Sequence, residues 1–155
     1  MSWGTPEFAG ENLFDSLFTT PAGHIGGSNL PGGVTFIASS GDTGAWSGVS
    51  YPAASPHVLS VGATSLAVGA GSSSGSETGW AGSTGGFSAF EPAPAYQVAA
   101  QSAAGLDSGQ RTVPDVAAVG DPATGVAVYD SVAYAGHSGW FAVGGTSASA
   151  RSGPA

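Results

Sequence analysis

Ser147 stands in "VGGTSASA", residues 143–150, between Gly145, Thr146 and a run of small residues. Several hydrolases present a nucleophile in this way. A serine followed by Ala148, Ser149 and Ala150 suits a strand-to-helix turn whose first amide points at a developing oxyanion. In a chain so rich in glycine and serine the same tripeptide also makes an ordinary loop. The second candidate is Asp42 in "SSGDTG", directly after the apolar run "VTFIAS". Ser-Gly-Asp reads equally as an Asx-turn or a helix cap. A serine nucleophile needs a base, usually histidine. His24, His57 and His137 sit in a loop, a strand entry and a turn, where a surface imidazole is the plainer reading.

For Ser147 and Asp42 to share a site, the fold must bring two distant loops together. "VTFIAS" (34–39) and "HVLSVGATSL" (57–66) read as strands buried on both faces, which favours a parallel sheet covered by helices. Ligands bind such a sheet at the carboxyl ends of its strands, so the loops after "VTFIAS" and "WFAV" are expected to converge on one edge. Between Pro6 and Pro21, Phe8, Phe14, Leu17 and Phe18 fall at helical intervals, with Glu7 and Glu11 in the first turns. This spacing predicts a crossover helix that carries Glu11 and Asp15 on its solvent side. Residues 67–86 read as a surface loop or hairpin. Residues 125–136 read as an antiparallel pair that breaks at Asp130 and Ser131.

The chain of 155 residues fits one domain, and only 8% of it is charged, against roughly 25% in an average soluble domain. Its formal charge is -8, lysine is absent, and Arg111 and Arg151 are the only strong cations. That balance argues against nucleic acid as a partner, because phosphate binding needs basic side chains. A protein with few ion pairs loses little when its carboxylates protonate, which points to an acidic working environment. The absence of cysteine excludes disulfides and thiol chemistry. No stretch is apolar for long enough to span a membrane, and "MSWGTPEF" contains no basic leader or signal peptide.

"MSWGTPE", "GVTFIASSGDTGAW", "YPAASPHVLSVGATSL", "STGGFSAFEPAPAYQ", "VPDVAAVGDPATGVAVY" and "VGGTSASA" follow one another in the order, and at about the spacing, of the sedolisins, the serine-carboxyl peptidases. The resemblance implies an α/β, subtilisin-like fold with a parallel sheet between helices, secretion, and cleavage of peptide bonds in acid. It places the nucleophile at Ser147. Asp42 falls where subtilisins keep an oxyanion-hole asparagine, and a carboxyl donates there only when protonated. Ser2, Trp3 and Gly4, with Ser83, Thr84, Gly85 and Gly86, resemble the two segments that line the substrate cleft.

In that family the base is a glutamate backed by an aspartate four residues later, on a helix upstream of the Ser-Trp-Gly strand. Glu11 and Asp15 have the same identities and spacing but follow that strand, so they are read as decoys. On this resemblance residues 1–150 are the central part of a catalytic domain truncated at both ends, and residues 151–155 are an atypical tail. The family's calcium lies in a later segment, so no cofactor is expected within the chain, and the partner is a peptide or protein substrate. Two other readings stay open. One is a subtilisin-type protease with a histidine base, which the missing His-Gly-Thr motif disfavours. The other is a non-catalytic binding module on a decayed peptidase fold.

Overall fold

The run marked as a buried strand becomes β4, Leu59–Val68, and the main sheet is assembled on it. The structure, a computed structural model, describes residues 1–24, 33–69, 75–106 and 108–152. β2 (Ile37–Ser39) and β8 (Val116–Val119) pair with β4 in parallel, so that Val61 lies in register with both Ser39 and Val116. β5 (Gly75–Gly79) runs antiparallel along the far half of β4, as expected for a hairpin in the 67–86 stretch, of which residues 70–74 lie outside the described residues. Ser60, Val61, Gly62 and Ala63 are all buried, so β4 is covered on both faces instead of alternating in and out. This is the expected α/β architecture around a parallel sheet.

α2 (Thr146–Ser152) packs across β2, β4 and β8. Small side chains let it approach closely: the buried Ser149 hydroxyl donates to the Ala118 carbonyl at 3.0 Å. β1 (Thr5–Pro6) pairs with β3 (Ser50–Tyr51), and β6 (Gly86–Pro92) pairs with β7 (Gln110–Val113), both antiparallel. α1 (Ala95–Ala103) docks on β7 through two buried glutamines, Gln97 bonding the Thr112 carbonyl and amide and Gln101 the Gln110 carbonyl. These side chains satisfy backbone groups that no neighbouring strand takes up. The apolar core is built from Ala38, Val49, Tyr51, Ala53, Ala54, Val58 and Val113.

Three expectations need correction. The crossover segment forms a 3-10 helix over Glu11–Phe18, and its sides are reversed: Glu11 is 0% exposed, while Leu13 and Leu17 are 79% and 67% exposed. The reason is local. The Glu11 carboxylate reaches back to accept the Phe8 amide at 2.9 Å, in the manner of a capping box, and Asp15 accepts the Tyr51 hydroxyl at 3.1 Å. Both acids are thereby drawn inward, leaving the leucines outside. Second, "WFAV" is not a strand of the parallel sheet but part of β10 (His137–Val143), which among the described residues pairs with β9 (Val126–Tyr134) alone. Third, that hairpin turns at Ala135 and Gly136, whose positive φ values suit a tight turn, and not at Asp130 and Ser131. Asp130 pairs with Gly139 next to an irregularity in the register, which is the break visible in the sequence.

Candidate active site

β2 ends at Ser39, and the buried Ser40 keeps one more sheet bond, its amide donating to the Val61 carbonyl at 2.9 Å. The chain then turns at Gly41, whose φ is 116°. A Cβ there would lie 2.8 Å from the Thr84 hydroxyl oxygen, so only glycine fits. Thr84 is fully buried; its amide donates to the Gly41 carbonyl at 2.8 Å, and its hydroxyl accepts the Thr43 amide at 3.1 Å. The Ser83–Gly86 segment therefore braces the Ser-Gly-Asp loop from behind.

From the other side, α2 begins at Thr146, whose amide and hydroxyl both donate to Asp42 Oδ1, at 2.6 and 2.8 Å. The same hydroxyl accepts the Gly41 amide at 3.1 Å, which closes a ring between the two loops. Asp42 Oδ1 is thus committed as an acceptor. A proton on this carboxyl belongs on Oδ2, the oxygen beside Gly145. Ser147 follows in the first turn of α2, half-buried, in a cleft of about 200 Å³ that it shares with Asp42, Ser2, Trp3, Gly4 and Thr43.

The structure therefore brings Ser147 and Asp42 together at the sheet edge with the Ser2–Gly4 segment across the cleft. Ser83, Thr84, Gly85 and Gly86 do not line that cleft; Thr84 acts through the loop that it supports, and Ser83 Oγ accepts the Ala63 amide at 2.9 Å. Asp42 is the one titratable side chain among the cleft-lining residues. His57 opens on a separate cavity of about 550 Å³ beside Tyr96 and Leu106, His137 lies edge-on to Phe141 at 5.0 Å, and His24 is exposed. Glu11 and Asp15 bond Phe8 and Tyr51 and do not line the cleft. Among the described residues no group of three or more His, Cys, Asp and Glu side chains is placed to hold a metal ion.

Sequence reasoning missed Thr146 as the tether of Asp42. Its signal was a hydroxyl placed between a glycine and the candidate nucleophile. The preceding glycine is required twice over, since Gly145 has φ 100° and a Cβ there would lie 2.8 Å from Asp42 Oδ2. Gly136 shares the positive φ but has nothing within 4 Å of its Cβ position. The expected result is that Gly136→Ala costs about 1–2 kcal/mol, the backbone term alone. Gly145→Ala costs more, because Asp42 must also move. Thermal unfolding of both variants checks this; equal losses would mean that Asp42 does not press on the glycine.

The model of the subtilase family matches residues 1–151. The chain is 39% identical over 145 residues to kumamolisin from Bacillus sp. (strain MN-32), an alignment that covers 83% of this chain and 25% of kumamolisin. It also superposes on the solved structure of Pseudomonas sedolisin, a serine-carboxyl proteinase complexed with two molecules of pseudo-iodotyrostatin. That superposition has a TM-score of 0.60 and 30% identity, and covers 75% of this chain and 35% of the other. The chain thus spans about a quarter of the length of kumamolisin and about a third of the sedolisin chain.

Proposed function

We propose, from the premise that the chain belongs to the subtilase family and is sedolisin-like within it, that residues 1–150 are the central part of the catalytic domain of a secreted, acid-acting serine-carboxyl endopeptidase. Ser147 Oγ attacks the scissile carbonyl carbon. Its proton passes to a carboxylate base supplied from outside these residues. Negative charge collects on the former carbonyl oxygen, where the Oδ2–H of protonated Asp42 and the Ser147 amide donate to it. Collapse of that intermediate expels the amine, which takes the proton from that base, and a water deprotonated by the same base later releases the acyl group from Ser147.

The observation that carries this reading is the pair of bonds from Thr146 to Asp42 Oδ1. They leave one carboxyl oxygen as the possible donor and hold it beside the turn that presents Ser147. A carboxyl that works as a donor restricts the reaction to acid, in keeping with the scarcity of cations in the chain. Trp3, 62% exposed at the cleft, offers an apolar face to an extended peptide, and the substrate class proposed is unfolded polypeptide.

The test is an assay of the full reading frame that contains this chain, on an unfolded protein from about pH 3 to about pH 8, beside the 155-residue chain alone. Cleavage by the longer protein is expected in acid and should fade toward neutrality, with none from the chain alone, since base catalysis is worth about 10²–10⁴ in rate. A rate that climbs toward alkaline pH would point to a histidine base. A longer protein that binds substrate but cleaves at no pH would leave the binding module.

A further inference from the structure

The acids that the reversed helix turns inward meet others. Glu7, Glu11, Asp15 and Glu91 gather between the first eighteen residues and β6, with Glu11 0% and Glu91 2% exposed. Glu7 accepts the Ser88 hydroxyl and, at 3.0 Å, the Ala89 amide, so it ties the chain just after Ser2–Gly4 to β6. Asp15 accepts the hydroxyl of the buried Tyr51 from β3. Glu11 lies against Glu7, and Glu91 lies against Asp15. One oxygen of Glu11 and one of Glu91, both Oε1, are buried without a hydrogen-bond partner.

We propose that this carboxyl cluster is a proton-operated latch between residues 1–18 and β6, closed in acid and released as the pH rises toward neutrality. Two buried carboxylates in contact cannot both stay ionised without a cation. The cation that acts on the cluster is Arg111 on β7, and its guanidinium is already bonded to both oxygens of Asp115. A proton on Glu11 and another on Glu91 turn a carboxyl oxygen of each into a donor, and the neighbouring Glu7 and Asp15 carboxylates are the acceptors beside them.

Burial and neighbouring charge act in the same direction as this geometry. Burial first, and then the Glu7 carboxyl, push Glu11 from its ordinary 4.5 to about 7, against the opposing Phe8 amide. Burial, then Asp15 and Glu7, push Glu91 to about 7, with Arg111 opposing. The Tyr51 phenol is pushed up by burial and by Asp15, so it remains a donor throughout. The folded chain therefore holds two protons that an unfolded chain releases near 4.5. The stabilisation is fully present below that value, declines as the pH rises, and is gone above about 7. The latch itself does not depend on the catalytic reading. Its consequence, an acid-ordered wall of the cleft at Ser2–Gly4, rests on that reading.

The experiment is urea denaturation of the 155-residue chain at about pH 4 and about pH 8, for the wild type, Glu11→Gln, Glu91→Gln, the double variant and Glu77→Gln. Glutamine keeps the shape and the donor of the protonated acid. The wild-type midpoint should fall between the two pH values, each single variant should shrink that fall, and the double variant should lose more than half of it. Glu77, exposed on β5, controls for the general repulsion of an acidic chain, and its variant should leave the fall unchanged. A wild type equally stable at both pH values would overturn the proposal, as would a double variant that falls as far as the wild type. Should the double variant not fold, carbon-13 NMR of the glutamate carboxyls in the wild type decides instead: two glutamates titrating near pH 7 are expected, and four at their ordinary value overturn it.

Discussion

Replacing Arg111 by alanine is expected to cost the chain about 3–5 kcal/mol, the penalty for stranding one member of a buried ion pair. Arg111 is 0% exposed, and its Nη1 and Nη2 each reach one oxygen of Asp115 at 2.7 Å. The guanidinium also serves backbone: Nε donates to the Ala54 carbonyl at 3.0 Å and Nη2 to the Val58 carbonyl at 3.0 Å. Asp115 in turn accepts the Ser60 amide at 2.8 Å and Gln97 Nε2 at 2.7 Å. The entry to β4, the start of β8 and helix α1 therefore meet on one pair of side chains. Buried ion pairs can often be exchanged for apolar residues without loss, but this one is different in kind. In Arg111→Met with Asp115→Leu, the carbonyls of Ala54 and Val58 and the Ser60 amide would each lose a partner at about 1–3 kcal/mol. The double variant should consequently recover little of the loss. Denaturant midpoints of the two variants check this, and near-native stability of the double variant would mean that the backbone contacts are dispensable. A stability of about 5–15 kcal/mol makes even the single change a large fraction of the whole.

The parts of the fold that were legible are those fixed by side-chain volume and branching. β4 and the end of β2 follow from runs in which Val, Ile, Leu and Ala are interrupted only by the small residues Ser, Gly and Thr, because a strand covered on both faces admits little else. The approach of Asp42 to the turn before Ser147 was legible in its outcome and not in its reason, since the Asp42 loop does follow a strand of the parallel sheet while the loop before Ser147 follows a hairpin strand. What was not legible depends on partners distant in sequence. Glu11 and Asp15 look like the polar side of an amphipathic helix until Phe8, Tyr51 and Glu91 are in place around them. "WFAV" resembles the other strands by composition, yet it closes a hairpin with β9, and periodicity does not say which strand a run pairs with. The bracing roles of Thr84, read as a cleft-lining residue, and of Thr146 escaped notice because a buried hydroxyl that braces a loop has no pattern along the chain.

In the full reading frame, Ser147→Ala is expected to abolish cleavage, by about 10⁶ in kcat, on the scale of removing the nucleophile from other serine proteases. Among the described residues that line the cleft Asp42 is the one titratable group, and its Oδ1 is occupied by Thr146. Asp42→Ala should cost less, about 10²–10³, the worth of one oxyanion donor. Thr146→Val should cost less again, because it removes the hydroxyl tether to Asp42 and keeps the amide. This order separates a donor from a merely structural aspartate. A donor acts on the transition state, so Asp42→Ala lowers kcat and kcat/KM together and leaves KM near its original value. An aspartate that only holds the start of α2 would instead lower the melting temperature of Asp42→Ala and Thr146→Val alike, with activity restored on cooling. Retention of wild-type kcat by a folded Asp42→Ala protein would remove the carboxyl from the chemistry and leave Ser147 to act with backbone donors alone.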